Sequence, residues 1–254
     1  MNLANISVQI TQDGSSTLFL TEQKEHYHSI HGAVQEAICV YIQGALQVGM
    51  NAVLSSASFA PVRVFEMGFG TALNALLTWI EAEKQQIPVQ YTAVEAYPLS
   101  KEIWEQLNYG TLFPPPYELF FQKLQNAMWQ KEEEIGANFD GVSLSPFFSL
   151  KKIDGKLQKL KMPCQNYDVV YYDAFSPEIQ PELWTTEIFE KVYDSMSENS
   201  VLSTYCAKGQ VKRNLKELGF IVENLPGPKG KREITRAWKR KEKQGKEIVG
   251  LLKK

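Results

Sequence analysis

Three acidic residues each follow a short apolar run: Glu66 after Val62-Arg63-Val64-Phe65, Glu95 after residues 89–94, and Asp173 after Val169-Val170-Tyr171-Tyr172. Runs of β-branched and aromatic residues of this length read as buried strands, so each carboxyl is expected at a strand C-terminus. In an open α/β sheet that edge is where ligands bind, at the point where the strand order reverses. A carboxylate at the end of a buried strand is costly unless it is paired or used. Glu95 is suited to accept hydrogen bonds from two ribose hydroxyls. Asp173 is suited to orient an amine, stabilise positive charge growing on it and take its proton.

Glu66 opens the strand-to-helix turn Glu66-Met67-Gly68-Phe69-Gly70-Thr71-Ala72. Glycines there permit positive φ and close ligand approach. A dinucleotide fingerprint calls for a third glycine where Leu73 stands, and it places a pyrophosphate beside the helix N-terminus. The negative charge of Glu66 opposes a pyrophosphate. A ligand with a cationic amino-acid end fits better, and S-adenosylmethionine carries an ammonium, a sulfonium and no phosphate. After Asp173, Phe175 offers a ring face to a cation or a base, and Pro177 stiffens the loop. Tyr27 and Trp184 are candidates to stack on a nucleobase. His26, His28 and His31 lack a regular metal-ligand scaffold and read as loop residues near the site.

The elements that must position these residues alternate. Residues 6–20 read as a hairpin about Asp13-Gly14, and 33–46 as a helix with one apolar stripe. Helices are expected over 71–84, 99–107, 118–128, 185–196 and 208–218, the last closed by Gly219. Strands are expected over 62–66, 89–95, 147–153, 168–173 and 201–205, with a final antiparallel pair at 220–223 and 233–238. The alternation predicts an α/β, Rossmann-like, doubly wound and mostly parallel sheet. The expected organisation is an N-terminal hairpin and helix extension over 1–58, a main domain over 59–240 and a basic tail over 241–254.

Composition bounds the setting. The 254 residues are 44% hydrophobic and 22% charged, as in an ordinary globular domain. No uninterrupted apolar run approaches a membrane span of roughly 18–20 residues, and the N-terminal ten residues lack a basic flank and a long apolar core. Cys39, Cys164 and Cys206 are widely spaced, which argues against a disulfide framework. A reducing, cytoplasmic setting without a membrane partner is expected. The net charge of −2 conceals an acidic body and a basic C-terminal segment, with eleven Lys and Arg against three Glu from residue 229 onward. That asymmetry points to a polyanionic partner.

With these motifs in order, the chain resembles the MnmC/MnmD-type tRNA 5-(aminomethyl)-2-thiouridine methyltransferases, specifically the methyltransferase domain alone. The resemblance rests on Tyr27-His28-Ser29 with Gly32-Ala33 and Gln35-Glu36, the segment 66–74, Glu95-Ala96-Tyr97-Pro98-Leu99, Asp173-Ala174-Phe175-Ser176-Pro177 and Pro181-Glu182-Leu183-Trp184. Thr204-Tyr205, Lys208-Gly209, Leu218-Gly219-Phe220 and Gly230-Lys231-Arg232-Glu233 follow in family order. It implies a class I S-adenosylmethionine-dependent fold and methylation of the exocyclic amine of 5-aminomethyl-(2-thio)uridine at the tRNA wobble position. Glu66, Gly68, Phe69, Gly70, Thr71, Glu95, Ala96 and Asp173 are then expected to serve the cofactor, with Asp173 and Phe175 at the reacting amine. Tyr27, His28, Ser29, Pro177 and Trp184 are expected on the acceptor side. The charges of Lys229, Lys231 and Arg232 suit tRNA phosphates. Ala72 departs from a glycine common among relatives, and Asp154 is the nearest candidate for a further acidic cofactor contact. The chain is expected to lack the fused flavin-dependent oxidase of larger relatives, to use neither flavin nor metal, and to be a monomer.

Two other classes share these features. One is an N-methyltransferase or aminopropyltransferase acting on a small free amine, which the basic C-terminal segment disfavours. The other is a non-catalytic RNA-binding module, disfavoured by intact Glu66, Glu95 and Asp173.

Overall fold

The structure is a computed structural model that describes residues 6–55 and 60–240. The chain opens with a hairpin of β1 (Ile6–Ile10) and β2 (Ser16–Leu20), extended by a short β3 (Glu25–His26). Helix α1 (Ala33–Ser55) follows. The main sheet then begins with β4 (Val62–Met67), α2 (Leu73–Gln85) and β5 (Val89–Glu95). Two single-turn helices, α3 (Lys101–Trp104) and α4 (Tyr109–Leu112), lead into α5 (Tyr117–Asn126). Next come β6 (Trp129–Gln130), β7 (Val142–Ser145), β8 (Phe148–Asp154) and β9 (Tyr167–Tyr172). The chain continues through α6 (Thr186–Ser195), β10 (Met196–Thr204), α7 (Gly209–Glu217), β11 (Ile221–Pro226) and β12 (Glu233–Lys239).

Nine strands form one sheet in the order β11-β12-β10-β9-β4-β5-β8-β6, with β7 pairing β8. The central pairs β10/β9, β9/β4, β4/β5 and β5/β8 are parallel. The final β11/β12 pair is antiparallel, and β12 inserts antiparallel against β10. This is the expected doubly wound, Rossmann-like sheet. The order runs outward from β4 through β5 to β8, and β9 then returns to the other side of β4. The switch point therefore lies between the C-terminal ends of β4 and β9.

Strand alternation divides the apolar residues between two faces. Val62, Val64, Tyr91, Val169 and Val201 pack with α1, α2 and α5. Phe65, Met67, Val170, Tyr172 and Leu202 pack with α6 and α7. Both faces are covered, which is why the central strands read as continuous apolar runs.

Helix α1 is longer than the sequence expectation. It continues past residue 46 to Ser55, and its 23 residues are long and apolar enough to span a membrane by length and composition. Gln35, Glu36, Gln43, Gln47 and Asn51 interrupt its apolar residues, so it holds no uninterrupted apolar run of that length. Its contacts make it a core helix: Val40, Tyr41, Ala45, Leu46 and Met50 are buried against the sheet and α2. Gly49 lies so close to β9 that a Cβ there would fall 2.3 Å from Val169 Cγ2. The helix is widened through Ile38–Leu46, where Gln47 N–H reaches the Ile42 carbonyl five residues back. The Ser203 hydroxyl of β10 donates to the Val40 carbonyl (2.7 Å) within this stretch.

Other differences are local. Helix is confined to four residues, Lys101–Trp104, within the expected 99–107, and α2 starts at Leu73 rather than residue 71. The later start follows from positive φ at Gly68, Gly70 and Ala72, which keeps the turn out of the helix. The basic tail over 241–254 and the boundary between extension and main domain near residue 58 lie outside the described residues.

Candidate active site

A cavity of about 280 Å³ opens over the switch point. Its wall is assembled from the 25–30 segment, the 67–71 turn, the end of β5, the 155–158 loop after β8, the 173–175 loop after β9, Tyr205 and Lys231. Among the described residues five carboxylates (Glu25, Glu36, Glu95, Asp173 and Glu182) face two lysines, Lys156 and Lys231, so the lining they form is acidic.

The turn after β4 is shaped by backbone approach. Gly68 has φ +90, and a Cβ there would lie 2.5 Å from the Asp173 carbonyl oxygen. Gly68 N–H donates to the Val94 carbonyl (2.9 Å), and Asp173 N–H to the Met67 carbonyl (3.1 Å). The three strand ends are thereby tied at one point. Gly70 has φ +49 and faces the Tyr27 ring, 3.2 Å from where a Cβ would stand. Ala72 adopts left-handed geometry without a glycine (φ 67, ψ 13).

The three acids take different positions. Glu95 accepts from Gly70 N–H at Oε2 (3.0 Å) and from Tyr97 N–H at Oε1 (2.8 Å), and it lines the cavity with lone pairs to spare. Burial pushes its pKa up. Asp173 also lines the cavity. Tyr41 Oη donates to its Oδ1 (2.6 Å), and Asn74 Nδ2 donates to its Oδ2 (2.8 Å). Burial pushes the Asp173 carboxyl up to about 7, opposed by the Tyr41 and Asn74 hydrogen bonds and by the positive charge of Lys231.

Glu66 departs from the expectation of direct cofactor contact. It is fully buried and does not line the cavity. Asn74 Nδ2 donates to its Oε1 (2.9 Å), while among the described residues Oε2 has no hydrogen-bond partner; the Tyr91 hydroxyl lies beside the same carboxyl without bonding geometry. Burial raises its pKa well above the usual range, and nearby Asp173 adds to this. One amide thus links Glu66 to Asp173, making Glu66 a support beneath the floor.

The remaining predicted residues separate into two groups. Phe69, Thr71, Ala96, Tyr27, His28, Ser29 and Phe175 line the cavity with Gly68 and Gly70. The Tyr27 ring meets Phe175 edge-on at 5.0 Å between centroids, and His28 Nε2 lies 2.8 Å from Thr71 Oγ1. Burial holds the His28 imidazole near pKa 4, hence neutral at pH 7. Trp184, expected to stack on a base, is buried away from the cavity. Its Nε1 donates to the Phe175 carbonyl (2.9 Å) and its ring packs on Tyr172, so it braces the 173–177 loop. Pro177 does not line the cavity, and Lys229 and Arg232 are exposed outside it. Asp154 pairs with Lys131 (3.6 Å) and is no cavity contact. The neighbouring loop of Gly155, Lys156, Leu157 and Gln158 provides that wall instead.

The three histidines have separate partners: His26 contacts Gln9, His28 contacts Thr71 and His31 contacts Gln12. Among the described residues no group of three or more His, Cys, Asp or Glu could hold a metal ion.

Several site residues were not singled out from the sequence. Tyr41 sits in the apolar stripe of α1 and reads as core, yet its hydroxyl reaches a residue 132 positions away. Asn74 and Glu36 lie within recognisable motifs, but nothing local assigns them a partner. Tyr205 follows β10 and turns its face to Lys231, whose ammonium lies 4.0 Å from the ring centroid.

Comparison with known proteins places this geometry. A family model described as S-adenosyl-L-methionine-dependent methyltransferase matches residues 117–240. The tRNA 5-methylaminomethyl-2-thiouridine biosynthesis bifunctional protein MnmC of Cupriavidus necator is 30% identical over 213 residues, covering 82% of this chain and 31% of its own length. An uncharacterized protein of Methanocaldococcus jannaschii is 26% identical over 90% of this chain and 58% of its own. The crystal structure of MnmC2 from Aquifex aeolicus superposes with a TM-score of 0.69 at 24% identity, covering 92% of this chain and 70% of that one. The chain spans about a third of the length of the MnmC protein from Cupriavidus necator. In sequence over most of its length, and in its Rossmann-like fold, the chain is similar to the S-adenosyl-L-methionine-dependent methyltransferases of the MnmC methyltransferase-domain family.

Proposed function

We propose that this chain methylates the side-chain amine of 5-aminomethyl-(2-thio)uridine at the wobble position of tRNA, giving 5-methylaminomethyl-(2-thio)uridine. The observation that carries this reading is the Asp173 carboxyl. It faces an acidic cavity, is fixed by Tyr41 and Asn74, and has its pKa pushed up to about 7. A carboxyl with that pKa takes a proton from an ammonium near neutral pH and remains beside the nitrogen as positive charge returns to it.

The residues fit the cofactor. Gly68 to Thr71 present a turn free of side-chain bulk at the two glycines, and Glu95 has unused lone pairs at the cavity wall for ribose hydroxyls. The 155–158 loop lines the cavity after β8 and is assigned to the adenine side in this reading. S-adenosylmethionine, when bound, supplies an electrophilic methyl group on a sulfonium. The protein takes the acceptor ammonium's proton at Asp173 before transfer, holds the nitrogen with its lone pair free, and excludes water behind Tyr27 and Phe175; the methylated amine leaves as its ammonium. Glu66 acts at one remove, through Asn74. The acidic lining disfavours an anionic acceptor group and favours an amine. Lys229 and Arg232, exposed beyond the rim, suit the RNA backbone.

Undermodified tRNA incubated with the protein and S-adenosylmethionine, then digested to nucleosides for mass spectrometry, is expected to gain one methyl at 5-aminomethyl-uridine. Methylation of free small amines with no change in tRNA would favour the small-amine enzyme instead. Asp173→Asn is expected to lower the rate by about 100-fold or more while S-adenosylmethionine binding, read by calorimetry, persists. Undiminished turnover in that variant would remove Asp173 from the chemistry.

A further inference from the structure

We propose that Glu36 and Tyr205 form a subsite for a primary ammonium group, filled here by the chain's own Lys231, which the acceptor's ammonium displaces on binding. The role assigned to the acceptor rests on the amine reading above; the existence of the subsite does not.

Glu36 belongs to the first turn of α1 and is 6% exposed. Its Oε2 accepts the Ser29 N–H (2.7 Å). Among the described residues its Oε1 has no hydrogen-bond partner of good geometry, and it faces the Lys231 ammonium 2.5 Å away. A buried carboxylate oxygen of this kind is strongly destabilising without a cation. The Tyr205 ring lies on the other side of that ammonium, 4.0 Å from Nζ to centroid, and its hydroxyl is fixed by donation to the Ala174 carbonyl (2.8 Å). Carboxylate on one side and an aromatic face on the other is a recognition site for a cationic amine.

The position of the subsite gives it a use. Glu36, Tyr205 and Lys231 line the same cavity as Asp173. Lys231 reaches it from the exposed 227–232 turn between β11 and β12, where Gly230 packs against His31. An acceptor arriving as an ammonium replaces one cation with another, so the buried carboxylate is never left unpaired. From that subsite the ammonium passes a proton to the Asp173 carboxylate, which becomes the neutral acid and leaves a neutral amine.

Chemical complementation tests the subsite without turnover. Lys231→Ala removes three methylenes and the ammonium, so propylammonium chloride is the matching probe. The unfolding midpoint of this variant is expected to rise saturably with propylammonium. The rise should be absent with propanol, in the native protein and in Lys231→Ala/Glu36→Gln. No rise, or the same rise in all three proteins, overturns the subsite. The acceptor's use of it is read separately with undermodified tRNA. Lys231→Met keeps the stem and removes the competing charge, so the KM for tRNA is expected to fall about threefold or more. Glu36→Gln is expected to raise it. A KM that rises in Lys231→Met makes Lys231 an RNA contact and overturns displacement. Failure of the native protein to methylate tRNA at all would instead sink the functional reading and leave the complementation result standing.

Discussion

Asp173 has both carboxylate oxygens engaged before any ligand arrives, by a phenol at 2.6 Å and an amide at 2.8 Å. Those donors stabilise the ionised form against the burial that drives the pKa up to about 7. The ionised form is the proton acceptor, so the rate of methyl transfer is expected to climb as pH rises through about 7. Tyr41→Phe removes a hydrogen bond made to the charged form. Its rising limb should therefore move to higher pH, with a reduced kcat at pH 7 and little change in affinity for S-adenosylmethionine. A pH–rate profile superimposable on that of the native protein would leave Tyr41 a packing residue only. The pair of Glu66 and Asn74 is a second support of the same kind, since one amide nitrogen donates to both Glu66 and Asp173.

Helix α1 is what delivers Glu36 to the cavity and Tyr41 to Asp173. Its contact with β9 and β10 is set by glycines: a Cβ at Gly44 would lie 2.9 Å from Ser203 Oγ, and one at Gly49 would lie 2.3 Å from Val169 Cγ2. Replacing Gly49 with valine inserts a branched side chain where the strand already stands. The expected cost is about 1–3 kcal/mol in unfolding free energy, measured by urea titration, even though helix propensity alone favours leaving glycine. A neutral result would mean that α1 can retreat from the sheet at no cost. The widened stretch Ile38–Leu46 falls in the segment that carries Tyr41, as such insertions often do near functional sites.

Across the whole molecule, charge is segregated. The cavity is lined by five carboxylates against two lysines, while the turn from 227 to 232 carries exposed Lys229 and Arg232. The acidic interior suits an amine and the basic exterior suits phosphates, so one polyanion bearing one amine satisfies both. Lys229→Glu/Arg232→Glu is expected to weaken tRNA binding roughly evenly across tRNA sequences. The slope of log affinity against log salt should fall by about 2, one for each phosphate no longer neutralised. S-adenosylmethionine affinity should hold. An unchanged slope would place the RNA on another face.

The sequence alone determined the sheet and the edge at which chemistry occurs. Apolar runs capped by Glu66, Glu95 and Asp173 are local patterns, and strand periodicity together with the glycine turn suffices to bring their ends to one crevice. Tertiary structure alone decided where each acid sits there. Glu66, which the sequence ranks with the other two, lies beneath the cavity because β4 points it at α2, where Asn74 claims it. Trp184 resembles a stacking residue in sequence, but its indole is spent on the Phe175 carbonyl. Tyr41 and Glu36 read as part of a core helix until folding sets them beside Asp173 and Lys231. The physical reason is range. Strand and turn preferences act over a few residues, whereas the partner that fixes a buried carboxylate's charge comes from any element packed against it.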